Sequence, residues 1–295
     1  MVHKKPDLIS RRKFIGSVML ASTGAALISS CQRSRYEIGC FTRPWAKYEY
    51  RVAFDGIAGA GYEYAGLMSS DRGLIITADT APDEAYQVGE EARKRNLKIA
   101  SLYGNVDVRN SLEDGISGLT RLINNAGDAG CRNIVFGGTT NIELENNYYK
   151  AIAECCDLAA ERGVSLSLKP HGGSNTTGPQ CKALVERVGH QNFSVWYDPG
   201  NIYWYTHAEL DPVDDSREVD GVVTGMCVKD YSHEPRDVNL TPGTGMVDFE
   251  TVFANLRQGG FTRGPLVVEC LSMGELDYVN NEAKKARQFL LDLTS

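Results

Sequence analysis

The segment VSLSLKPHGG, residues 164–173, decides how the rest of the chain is read. Val164, Leu166 and Leu168 alternate with Ser165, Ser167 and Lys169, the two-residue period of a β-strand, and Gly172-Gly173 marks a turn. The apolar set would face covering helices. Lys169 and His171 then stand at the end of the opposite face, where a strand gives way to a glycine turn. A long cation and an imidazole at such a point suggest a site.

Seven further runs share this strand character: YEIGCF from Tyr36, YEYAGLM from Tyr62, LKIASLYG from Leu97, NIVFGG from Asn133, FSVWYD from Phe193, VVTGMCVKD from Val222 and PLVVEC from Pro265. Longer stretches with apolar residues three and four apart lie between them. ELENNYYKAIAECCDLAAERG closes on a glycine, and DFETVFANLRQGG opens on Asp248 as an N-cap and stops at Gly259-Gly260. Eight such β-then-α units in about 260 residues favour a (β/α)8 TIM barrel over an open doubly wound sheet. No change of composition marks a second domain within residues 31–295.

A barrel of this kind carries its chemistry at the C-terminal ends of its strands, on the inward face. Strand parity places Asp198 inward after FSVWYD, Cys227 and Lys229 inward on the seventh strand, and Glu269 inward on the eighth. Lys169, His171, Asp198, Lys229 and Glu269 are thus expected at one mouth. Glu269 sits in an apolar run, where a glutamate is rare unless paired. Asp198 before Pro199-Gly200 could instead only cap a turn, Lys169 could be barrel filler, Lys229-Asp230 could be a surface pair, and Cys227 could be packing. Arg43 and Trp45 follow the first strand, and Asn201, Trp204 and His207 follow the sixth. These five are candidate substrate contacts. PGTGMVDF reads as a shaped loop opening a helix, and Asp248 there argues against a phosphate at that helix start.

The first thirty residues are read apart from the fold. SRRKFIG, a short apolar run and small residues form an export leader, and Arg11-Arg12 points to the twin-arginine route. ISSC, ending at Cys31, resembles a lipoprotein cleavage box with Cys31 as lipidated N-terminus; an ordinary cleaved leader with an incidental cysteine is the alternative. The expected location is periplasmic or membrane-anchored, with membrane contact only through that lipid. The chain carries a net charge of −7, and loss of the basic leader makes the remainder more acidic still. That surface is unsuited to nucleic acid, where Lys and Arg neutralise phosphates, and suits a small polar substrate. The eight cysteines show no zinc spacing, and their sequence leaves disulfides undecided. Self-association as a homo-oligomer is equally open.

YDPGN, CVKD, PGTGMVDF and GPLVVEC, in that order between Val164 and Cys270, resemble the xylose isomerase-like barrels of the sugar phosphate isomerase and epimerase superfamily. The resemblance implies a divalent metal (Mn, Zn, Co or Mg) held by Glu, Asp, His and Glu at the ends of strands five to eight. Asp198 and Glu269 match two of these. The first glutamate falls at Lys169, the histidine at Cys227, and a further glutamate of the second strand near Gly66. Two expectations follow. Either a metal survives on His171, Asp198 and Glu269, or Lys169 supplies the positive charge instead. The expected activity is proton abstraction beside a sugar carbonyl by Glu269 or His171, giving isomerisation or epimerisation, with Lys229 also in the site. A lyase or hydratase on oxidised (3-keto) sugars is the second reading. A sugar-binding lipoprotein without catalysis is a third, and the acidic charge opposes a metal-dependent endonuclease.

Overall fold

Each of the eight strand-forming runs becomes one stave of a closed parallel barrel. The computed structural model describes residues 35–295. Its staves are β1 (Tyr36–Phe41), β2 (Tyr64–Leu67), β3 (Lys98–Gly104), β4 (Asn133–Phe136), β5 (Ser165–Leu168), β6 (Phe193–Tyr197), β7 (Val223–Val228) and β8 (Gly264–Val268). Each pairs with its neighbour in sequence, and β8 closes on β1 through pairs such as Ile38 with Leu266. The leader expected over residues 1–30 and the Cys31 anchor lie outside the described residues.

Helices α1 (Tyr50–Gly59), α2 (Pro82–Arg93), α3 (Leu112–Ala129), α4 (Ile142–Glu161) and α5 (Gly178–Val188) follow the first five staves. Short α6 (Pro199–Tyr205) and α7 (Pro212–Asp215) follow β6, then α8 (Phe249–Gln258) and α9 (Leu276–Leu293) follow β7 and β8. Their ends obey local chemistry. Ser111 caps α3 by accepting from Asp114 N, Thr177 and Gln180 form a reciprocal capping box on α5, and Asp248 accepts from Thr251 N on α8.

The apolar set of β5, Leu166 and Leu168, lies in the large core shared with Ile152, Cys156 and Leu184 of the surrounding helices. A second, smaller core fills the barrel itself with Phe41, Ala100, Val135, Trp196, Cys227 and Val267. Burial of each large side chain stabilises by roughly 1.5–3 kcal/mol. A polar belt crosses the interior as well: Asn133 Nδ2 donates to Ser167 Oγ at 2.9 Å, Ser167 meets Ser194 at 3.0 Å, and Ser194 meets Thr224 at 2.5 Å.

Two bulges break the alternation. Ala65 pairs with Ile99 but Gly66 with Ser101, so Ala100 is an extra residue in β3; Val195 pairs with Val223 but Trp196 with Gly225, so Thr224 is extra in β7. Gly66 has a steric cause. A β-carbon there would come within 2.4 Å of the Phe41 ring. Phe41 therefore fills the space from which a second-strand glutamate would reach the mouth.

All seven cysteines among the described residues are buried and free. No helix among those residues is long and apolar enough to cross a membrane.

Candidate active site

Four charged side chains, 4% exposed or less, meet at the C-terminal end of the barrel. Lys169 follows β5, Asp198 follows β6, Lys229 follows β7 and Glu269 follows β8. Lys169 Nζ lies 3.1 Å from Asp198 Oδ2 and 2.5 Å from Glu269 Oε2. Lys229 Nζ lies 3.2 Å from Asp198 Oδ2 and 2.5 Å from Glu269 Oε1, and donates to Asn201 Oδ1 at 3.0 Å. Each carboxylate thus bridges both ammonium groups. Isolated buried charges are costly, and this mutual pairing offsets their desolvation.

Local structure holds the four in place. Asp198 is also the N-cap of α6, its Oδ1 accepting from Asn201 N at 3.0 Å, so capping and ion pairing share one carboxylate. Asn201 Nδ2 donates to Pro170 O at 2.7 Å, tying α6 to the turn after β5. In that turn Asn175 Nδ2 donates to the carbonyls of Lys169 and Gly137, and His171 N donates to Asn175 O. Gly172 and Gly173 have φ of 87° and 63°, which turn the chain away from the strand direction. Beside Lys229, Asp230 points the other way. Its buried carboxylate accepts from the backbone N–H groups of Tyr231, Gly243, Gly245 and Val247 at 2.8–3.1 Å, fixing the PGTG loop. The surface-pair alternative for Lys229-Asp230 does not hold, because both are buried and each has a separate partner set.

Above the quartet is a cavity of about 380 Å³. Lys169, Lys229 and Glu269 line it, with His171, Arg43 and Asn201. Tyr103, Trp204 and Tyr205 add aromatic wall, and Met68, Leu74 and Val238 apolar wall. The His171 ring is tilted between Tyr205 (centroids 5.3 Å) and Tyr103 (6.1 Å). Arg43 leans over Glu269, 4.0 Å from Oε1, with its guanidinium on Cys270 Sγ. Arg236 lies on the Trp204 ring, 4.0 Å from its centroid.

Burial opposes the charge on Lys169, but the carboxylates of Glu269 and Asp198 outweigh it and hold its pKa well above the ordinary lysine value. Lys229 is raised as well, burial again being outweighed by Asp198 and Glu269. Glu269 moves the opposite way: against its burial, Lys169, Lys229 and Arg43 hold its carboxyl well below the usual range. Burial, then the two lysines, lowers His171 to about 4, leaving a neutral imidazole at physiological pH. Burial keeps Cys227 a thiol.

Asp198, Cys227 and Glu269 present ligand atoms within 4.8 Å of one another, a group that by donor placement alone could hold a metal ion. His171, expected as the third ligand, is not part of that group; the glycine turn carries its ring toward Tyr103 and Tyr205. With both lysines in place, the donors do not fit a divalent ion. All four carboxylate oxygens are engaged by N–H donors, and the Cys227 thiol donates to Glu269 Oε2 at 3.0 Å. A metal needs those lone pairs at about 2.0–2.3 Å and a thiolate in place of the thiol.

Among the expected substrate contacts, Arg43, Asn201 and Trp204 line the cavity. Trp45 does not. It is fully buried beneath, donating from Nε1 to Asn280 Oδ1 at 2.9 Å. His207 lies past the end of α6, exposed and outside the lining, with a left-handed φ of 55°. Tyr103 and Tyr205 were not anticipated. The extra residue Ala100 shifts the parity of β3, and Tyr205 arrives on a helix, where strand counting has no purchase.

The xylose isomerase-like TIM barrel model matches residues 54–293. Solved structures of similar fold include a D-psicose 3-epimerase in the presence of D-fructose, 13% identical with a TM-score of 0.69, over 88% of this chain and 99% of that one. A D-allulose 3-epimerase from Methylomonas sp. in complex with D-allulose is 19% identical with a TM-score of 0.69, over 88% and 97% of the two chains. An IOLI protein with a bound zinc atom is 16% identical with a TM-score of 0.65, over 88% and 98%. At these identities the likeness is one of fold. No curated protein matches the chain.

Proposed function

The chain belongs to the xylose isomerase-like TIM barrel family, and from that premise we propose that it is a carbohydrate-active isomerase or epimerase, removing a proton beside a sugar carbonyl. The observation that carries this reading is the Lys169–Asp198–Lys229–Glu269 quartet lying under an aromatic-walled cavity at the barrel mouth. Preorganised positive charge in a water-poor site favours an oxyanion over a neutral carbonyl, the difference an enolisation must supply. The neighbours named for D-psicose and D-allulose epimerisation support a ketose or keto-sugar as substrate class.

Of the two candidate bases, His171 suits the task better than Glu269. Both Glu269 oxygens are held by ammonium groups, whereas the His171 ring faces the cavity as a neutral imidazole. His171 takes the proton from the carbon beside the carbonyl, and the electron pair moves onto the carbonyl oxygen to form an enediolate facing Lys169, Lys229 and Arg43. Delivery of the proton from His171 to the former carbonyl carbon, with loss of the hydroxyl proton, isomerises the sugar; epimerisation requires a second donor to protonate the same carbon from its other face, with the first proton left on His171. Trp204 and Tyr205 offer ring faces to the sugar.

A second reading, a lyase or hydratase on 3-keto sugars, draws on Arg43. It stands beside the quartet, where it can stabilise a leaving oxygen one carbon further along. Export by the twin-arginine route, with anchoring at Cys31, belongs to this proposal and favours a free or oxidised sugar over a cytoplasmic sugar phosphate. The test is incubation with ketoses and 3-keto-glycosides in heavy water. Deuterium gained with the carbon skeleton intact supports the isomerase or epimerase, and loss of a substituent supports the lyase. Saccharide binding without either change would leave only a sugar-binding protein.

A further inference from the structure

We propose that the Lys169 ammonium group occupies the place of a divalent cation in this barrel, so that the site works without one. The inference concerns the same site and rests on the enolisation reading only for the use made of the positive charge.

Asp198, Cys227 and Glu269 form the one group of potential ligands found among the described residues. Lys169 Nζ is in reach of all three: 3.1 Å from Asp198 Oδ2, 2.5 Å from Glu269 Oε2 and 3.9 Å from Cys227 Sγ. A single atom touching every member of a ligand set stands where the set converges. Lys229 closes the other side, 2.5 Å from Glu269 Oε1 and 3.2 Å from Asp198 Oδ2. Two carboxylates already face two ammonium groups, with Arg43 also 4.0 Å from Glu269, so a divalent ion would enter a site with no negative charge left to pair with it. The second stave offers no relief, because the Phe41 ring occupies the space beside Gly66 from which another carboxylate could reach in.

Lys169 is thereby a substituent that both excludes a metal and replaces its charge. A metal Lewis acid polarises a carbonyl through a vacant coordination position. An ammonium group does so by hydrogen bonding and field alone, with no ligand exchange. The converse also follows from donor chemistry. Removing the ammonium and supplying an oxygen donor at position 169 and an imidazole at 227 would leave four N/O ligands facing one point, a set suited to Zn, Mn or Co.

The test is metal loading of the purified mature protein. Wild type is incubated with Mn, Zn or Co ions in turn, desalted, and measured by elemental analysis and thermal melting. The expected result is far less than one ion per chain, with a melting temperature unmoved by metal or chelator. The Lys169→Glu/Cys227→His variant is expected to retain one ion per chain and to melt higher with metal than without. Should that variant fail to fold, Lys169→Gln, which is one atom shorter and removes the charge, is expected to gain metal uptake over wild type. One ion per wild-type chain, lost in Glu269→Gln, would overturn the inference. Metal content is independent of turnover, so failure here is distinguishable from failure to exchange deuterium.

Discussion

Lys169 and Glu269, 100 residues apart in sequence, meet at 2.5 Å across the mouth of the barrel, both almost completely buried. The contact joins β5 to β8 from opposite sides of the closed sheet and sets the charge of the site. It also makes the site a stability element. Removing Lys169 leaves two buried carboxylates facing the single Lys229 ammonium group, with one negative charge in excess.

Lys169→Met is therefore expected to destabilise the fold by about 3–5 kcal/mol. Glu269→Gln made together with it should recover part of that loss, because two buried carboxylates no longer face one ammonium group. Urea unfolding of the two single variants and the double variant measures the coupling. Strictly additive losses would mean that the two side chains do not interact.

His171→Ala should cost stability only through lost packing against Tyr103 and Tyr205, since no hydrogen bond to the ring is present among the described residues, while deuterium exchange into substrate falls by roughly 10²–10⁴-fold. Binding of the sugar, followed by calorimetry, should persist. Undiminished exchange would remove His171 from the chemistry and return the base role to another group.

Asp230→Ala tests the loop anchor. Four backbone N–H groups lose a charged acceptor at once, and a net loss of at least about 2 kcal/mol is expected from hydrogen bonds of this kind. Hydrogen-exchange mass spectrometry should show faster exchange across Gly243–Val247. Unaltered protection there would mean that the loop is held by something else.

Asp215 gives the fold a pH signature distant from the mouth. Burial pushes its carboxyl up to about 6, although Gly178 N and Tyr197 Oη donate to it at 2.9 Å. Its raised pKa stabilises the fold fully below the unfolded value, and that contribution is lost as pH rises through about 6. Asp215→Asn does not ionise. Its stability relative to wild type should therefore increase by up to about 3 kcal/mol between pH 4 and 7, then stay level. A difference that is flat throughout, measured by denaturant unfolding across that range, would place the Asp215 pKa near its ordinary value.

The barrel was legible because each stave keeps a two-residue rhythm and ends on turn chemistry. The quartet was legible for the same reason, since Asp198, Lys229 and Glu269 directly continue regular strands. Parity fails where the backbone departs from the strand. The bulge at Ala100 hid Tyr103, and the turn after Leu168 carries His171 away from the carboxylates. Trp45 looked accessible in sequence, yet its short 3-10 turn directs it inward to Asn280 of α9. The role of Phe41 had no sequence signal, because it depends on which small residue stands beside it in the next stave.

The central claim is that fixed ammonium groups, without a metal, stabilise the enediolate. Deuterium exchange from heavy water into a keto-sugar, by wild type stripped with a chelator and then resupplied with Mn ions, tests it most directly. The account predicts the same rate before chelation, after it and after resupply, with exchange abolished in Lys169→Met. Exchange that disappears on chelation and returns with the metal would contradict it.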